Sequence, residues 1–75
     1  YKAINLSTLE ELAAKNNLSE VTFETLVQAG FVSSKDKVKI LGNGTITRAL
    51  AVKANAFSKT AEAAIVAAGG SVEKL

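Results

Sequence analysis

Seventy-five residues, 48% of them hydrophobic and with a mean hydropathy of +0.21, suffice for one small folded unit and are too apolar for a disordered tail. The chain has neither cysteine nor histidine, which excludes disulfides, zinc sites built from those residues, thiol nucleophiles and imidazole bases. The net charge of +2 is uneven: residues 1–34 carry two lysines against four glutamates, and residues 35–75 carry seven cations against three carboxylates. That asymmetry hints at an anionic partner for the second half, although a solubilising lysine-rich surface reads the same way.

In chain order, Lys2-Ala3-Ile4-Asn5-Leu6 predicts a short strand. Ser7 with Glu10 three residues on has the spacing of a capping box, opening a helix whose apolar face is Leu9, Leu12 and Ala13. Lys15-Asn16-Asn17 ends that helix. Glu20-Val21 is a brief extended piece, and Thr22 caps a second helix with Phe23, Leu26 and Val27 on its apolar side. Gly30 is its left-handed stop. Phe31-Val32 resumes an extended path into the polar loop 33–36.

Val38-Lys39-Ile40-Leu41 predicts a strand, Gly42-Asn43-Gly44 a tight turn and Leu50–Ala54 a second strand, together a hairpin. Alternation places Val38 and Ile40 on one face, and Leu50, Val52 and Ala54 on another. If the apolar faces coincide, Lys39 and Lys53 stand on the outer side of that hairpin, with Arg48 near its turn. Ser58 caps the last helix, expected over 58–68 as the longest, with Ala61, Ala64, Ile65 and Ala68 facing inward. Gly69-Gly70 ends it, and Ser71–Lys74 is a closing strand. The expected fold class is therefore mixed α/β: a small single domain, residues 1–75, of irregular β-β-α turns with three helices, short strands and one hairpin.

No apolar run approaches the ~18 residues of a membrane span, and no signal-peptide pattern opens the chain. No membrane partner is expected. The acidic residues form no catalytic pair, since Glu10, Glu11 and Glu24 sit where a helix start favours negative charge. Gly42-Asn43-Gly44 lacks the spacing of a phosphate-binding loop. No cofactor, metal or enzymatic activity is expected.

The run Lys39-Ile40-Leu41-Gly42-Asn43-Gly44, Ile46, Leu50, Val52, Phe57-Ser58, Ala61, Ile65 and Gly69 resembles the C-terminal domain of the bacterial-type large-subunit ribosomal protein L-fifteen family. Upstream, Val21-Thr22, Leu26, Ala29-Gly30 and Phe31-Val32 are similar to the segment before that signature, and Ile4-Asn5-Leu6 to the family's opening strand. The resemblance implies a structural constituent of the large ribosomal subunit whose partners are large-subunit ribosomal RNA and neighbouring large-subunit ribosomal proteins. It implies a cytoplasmic location on the ribosome, with an organellar ribosome as the alternative. It also implies a longer protein with a Gly-rich, basic N-terminal half that threads RNA. A chain that starts at Tyr1 and has no methionine fits a C-terminal fragment of such a protein.

Candidate RNA-binding residues are Lys39, Asn43, Arg48, Lys53, Asn55, Ser58 and Lys59. The cations suit phosphates, and the backbone N–H groups around Asn55, Ser58 and Lys59 could receive one. Each has a plainer reading: solubilising charge for the lysines, turn geometry for Asn43, an ordinary cap for Ser58. Phe57 is expected in the core, and Phe23, Phe31 and Tyr1 in the core or at a fragment end. Two other functions compete: a protein–protein interaction module outside the ribosome, and a small-molecule-binding domain, for which so alanine-rich a chain leaves little room. The isolated chain is expected to be monomeric.

Overall fold

Six short strands and three helices follow one another along the computed structural model, which describes residues 1–75 throughout. The elements are β1 (Lys2–Asn5), α1 (Leu6–Asn16), β2 (Glu20–Val21), α2 (Phe23–Gln28), β3 (Val38–Leu41), β4 (Ala51–Ala54), β5 (Ala56–Phe57), α3 (Lys59–Ala67) and β6 (Ser71–Lys74). Mixed α/β content with three helices is as the sequence predicts. No helix is long and apolar enough to cross a membrane.

The strands sort by parity. Odd-numbered strands form one parallel sheet in the order β1-β3-β5, here sheet A, and even-numbered strands form a second in the order β2-β4-β6, sheet B. The predicted hairpin is therefore wrong. β3 is the central strand of sheet A, with β1 and β5 on its two edges, so it has no free edge for β4. Residues 42–50 instead carry the chain from one sheet to the other. Each sheet contributes an alternating apolar face to one cluster of sixteen buried residues, including Ile4, Val38 and Ile40 from sheet A and Val21, Val52 and Ala54 from sheet B. Leu6, Leu9, Leu12 and Ala13 of α1, Leu26 of α2, and Ala61 and Ile65 of α3 complete it with the loop residues Val32, Ile46 and Leu50. Ala64 and Ala68 pack on its margin, as do Phe23 and Phe57.

The return from sheet B to sheet A takes one residue. Asn55 lies between β4 and β5, donates its backbone N–H to Val38 O at 3.0 Å, and accepts Val38 N–H on Oδ1 at 2.8 Å. Its carboxamide thus closes a ladder position that no strand residue fills, beside a fully buried valine.

Other local expectations divide. Thr22 and Ser58 cap α2 and α3 with their hydroxyl oxygens, accepting from Thr25 N–H and Ala61 N–H, each at 3.1 Å. Gly30 and Gly69 take left-handed φ values of 84° and 90°. The capping box at Ser7 does not form, because α1 begins at Leu6 and Asn5 caps it without a side-chain bond. The loop supplies the missing partner: Asn43 O accepts Ser7 N–H at 3.2 Å. α1, at eleven residues, exceeds α3 at nine, so the last helix is not the longest. Phe31 is 44% exposed, not in the core.

Candidate nucleic-acid interface

Strands of a parallel sheet all end at the same side, so sheet A delivers three connections to one place. β1 runs into the start of α1, β3 into the 42–50 loop, and β5 into the start of α3. The loop is wedged between the two helix starts. At Gly42 an added Cβ would lie 2.6 Å from Thr60 Cβ and 3.2 Å from Ala61 N, in the first turn of α3. At Gly44 it would lie 2.6 Å from Ser7 Cβ and 2.8 Å from Ser7 N, in the first turn of α1. The two glycines thus have different jobs. Gly44 takes φ of 92°, whereas Gly42 has no positive φ and is required for close approach alone.

Further along, the Glu10 carboxylate ties the loop to α1, accepting Thr47 N–H at 3.2 Å on one oxygen and the Thr47 hydroxyl on the other. Those two bonds hold the Glu10 carboxyl below the usual carboxylate range, with a smaller pull from the backbone and charge of Arg48.

Of the seven candidate residues, the structure gathers four around this loop. Asn43 is exposed near the start of the loop and donates from Nδ2 to Asn5 Oδ1 at 3.4 Å, leaving its own Oδ1 without a protein partner. Ser58 donates its N–H to Ile40 O at 2.9 Å while capping α3, so it is held firmly in place. Lys59 follows it, next to the Thr60 that packs on Gly42, and Arg48 follows Thr47 at the other end of the loop. Both cations are exposed and neither is ion-paired.

The other three lie elsewhere. Lys39 and Lys53 are not on one hairpin: Lys39 stands on the outer face of sheet A and Lys53 on that of sheet B. Lys53 Nζ lies 4.0 Å from Glu20 and 3.9 Å from Glu73, one carboxylate on each flanking strand. Asn55 sits at the opposite end of sheet A from the loop, its Oδ1 engaged by Val38.

Sequence reasoning missed three features: the sheet-switching role of Asn55, the carboxylates around Lys53, and the Glu10–Thr47 tie. None has a local signal, since each joins residues far apart in the chain.

Residues 3–73 match the family that comprises ribosomal proteins 50S-L15 and 50S-L18e and their counterpart in the 60S subunit. Across all 75 residues the chain is 61% identical to a large ribosomal subunit protein uL15 of Porphyromonas gingivalis and 57% identical to one of Bacteroides thetaiotaomicron. It is 51% identical over 70 residues to the protein of that name from Amoebophilus asiaticus. The chain spans about half the length of these relatives, 51% of the first two and 46% of the third. With its signature residues in place around the 42–50 loop and nearly its whole length matched, this chain belongs to the family of ribosomal proteins 50S-L15 and 50S-L18e.

Proposed function

We propose that the chain is the C-terminal domain of a structural protein of the large ribosomal subunit, on a cytoplasmic ribosome, and that it binds large-subunit RNA and adjoining ribosomal proteins without catalysing a reaction. Family membership over residues 3–73 carries this reading, and the bacterial relatives named for the large subunit favour the cytoplasmic setting. The loop cluster supports it. Arg48, on a loop that two helix starts brace, and Lys59, at one of those starts, are exposed cations outside any ion pair, and Asn43 offers a free acceptor on the same loop. A braced loop presents charge to a phosphate at low entropic cost. Lys53 and Asn55, both engaged within the protein, are assigned structural roles.

The test is a salt titration of the 75-residue chain against a large-subunit ribosomal RNA transcript. Replacing Arg48 and Lys59 by Gln removes two phosphate contacts and should flatten the log–log salt slope by about 1.5. Replacing Lys15 by Gln should leave it unchanged. An equal effect from Lys15 would reduce the interaction to bulk charge and end the assignment of the loop.

A further inference from the structure

Sheet A has one face in the core and one in solvent, although parallel sheets are ordinarily covered on both. Its outer face is formed by Ala3 and Asn5 of β1, Lys39 and Leu41 of β3, and Ala56 of β5. The register sets Ala3, Lys39 and Ala56 in one row across the three strands. That row is a methyl, a lysine and a methyl, so its relief is low and a ligand backbone can come close to the sheet. Lys39 is exposed and makes no ion pair, and no strand of sheet A contains an acidic residue.

The chemistry favours an extended polyanion. A protein partner would want a large apolar anchor in a pocket; the strands of this face hold only half-buried Leu41 and two alanines, and Tyr1, just before β1, stands 76% exposed outside any pocket. The face is also continuous with the loop cluster. Asn5 lies on it and accepts from Asn43, and Ser58 follows directly on β5.

We infer that the outer face of sheet A is a second RNA-docking surface, on which Lys39 meets a phosphate of the RNA backbone and the flanking Ala3 and Ala56 let that backbone approach. The inference rests on the RNA-binding reading above and extends it from the loop to the sheet.

The experiment uses the same chain and the same large-subunit RNA transcript, with circular dichroism on every variant. Lys39→Gln should flatten the salt slope by about 1 and leave the fold intact. Ala3→Glu places a carboxylate beside Lys39, since neighbouring strands lie about 4.8 Å apart. It should weaken binding by roughly tenfold at low salt, the size expected when one phosphate interaction is removed and one repulsion is added. Ala3→Gln, of equal size without the charge, should weaken binding less than Ala3→Glu, through bulk alone, and Ala14→Glu, of equal charge at an exposed position of α1, should stay near wild type. Wild-type behaviour of Lys39→Gln and Ala3→Glu, with weakening confined to the Arg48 and Lys59 variant, overturns the sheet face and leaves the loop reading standing; a protein occupant gives that same result. Equal weakening by Ala3→Glu and Ala14→Glu also overturns it, as net charge alone. Absence of binding by the wild type overturns the underlying reading and the face with it. Where Ala3→Glu perturbs the fold, the Lys39→Gln slope decides.

Discussion

Sheets A and B share a plan and differ in charge. Each has three parallel strands, and each carries one lysine on the outer face of its central strand. In sheet B that lysine, Lys53, is flanked by Glu20 and Glu73 on the neighbouring strands, so the face is closed by its own charges. In sheet A the corresponding Lys39 faces Ala3 and Ala56, and its charge has no counterpart. The same topology therefore yields one self-satisfied surface and one that lacks a counter-charge. What separates them is the residue beside the lysine on the adjoining strand, not the strand that bears it.

The largest perturbation should be one that loosens both sheets together. α3 packs on β6 of sheet B and on β3 of sheet A, and Ile65 is fully buried there. Ile65→Ala should cost ~2–5 kcal/mol through reduced burial and a cavity. Urea midpoints at constant slope would check this, and a change below ~1 kcal/mol would show that α3 does not knit the two sheets.

Breaking the handover between sheets should cost less. Asn55→Ala removes the acceptor for a buried N–H and should cost ~1–3 kcal/mol. Asn55→Asp keeps an acceptor at the same place and should recover most of that. Amide exchange at Val38 would report it directly, with protection abolished in the alanine variant and retained in the aspartate variant.

Acid should loosen sheet A before sheet B. Glu10 braces the loop leaving β3. Asp36 lies in the turn entering it, and Ser33 N–H donates to its carboxylate at 2.9 Å, holding its carboxyl below the usual range. A carboxyl with a lowered folded-state pKa takes up a proton more readily in the unfolded chain. Its stabilisation is thus complete at neutral pH, declines as pH falls through the ordinary carboxylate range, and vanishes below the folded-state value. Exchange of β3 amides should accelerate on acidification relative to β4 amides, and Thr47→Val should blunt the part due to Glu10.

The smallest effect belongs to Lys53. Its partners are exposed and at the limit of ion-pair distance, so Lys53→Met should change stability by no more than ~1 kcal/mol. It should leave RNA affinity unaltered beyond the removal of one distant charge. An effect on binding equal to that of Lys39→Gln would erase the contrast between the sheets.

Whatever depends on near neighbours in the chain is legible from the residues themselves. Helical spacing picks out Leu9, Leu12, Ala61 and Ile65 as core, and strand alternation picks out Val38, Ile40, Val52 and Ala54. The caps at Thr22 and Ser58 and the left-handed stops at Gly30 and Gly69 can be read because each acts within three or four residues of itself. The family signature can be read for the same reason. Which strands pair is settled only when the chain has folded. Two strands joined by a glycine-rich turn satisfy hairpin rules locally, but β1 and β5 occupy both edges of β3 and force the chain across to the other sheet. That choice puts Lys39 and Lys53 on different surfaces. It also turns Asn55 into a ladder substitute and has the Asn43 carbonyl accept the Ser7 N–H that the expected capping box would give to Glu10. A hydrogen bond or ion pair between residues far apart in sequence leaves no periodic trace in the chain, so only the assembled fold reveals it.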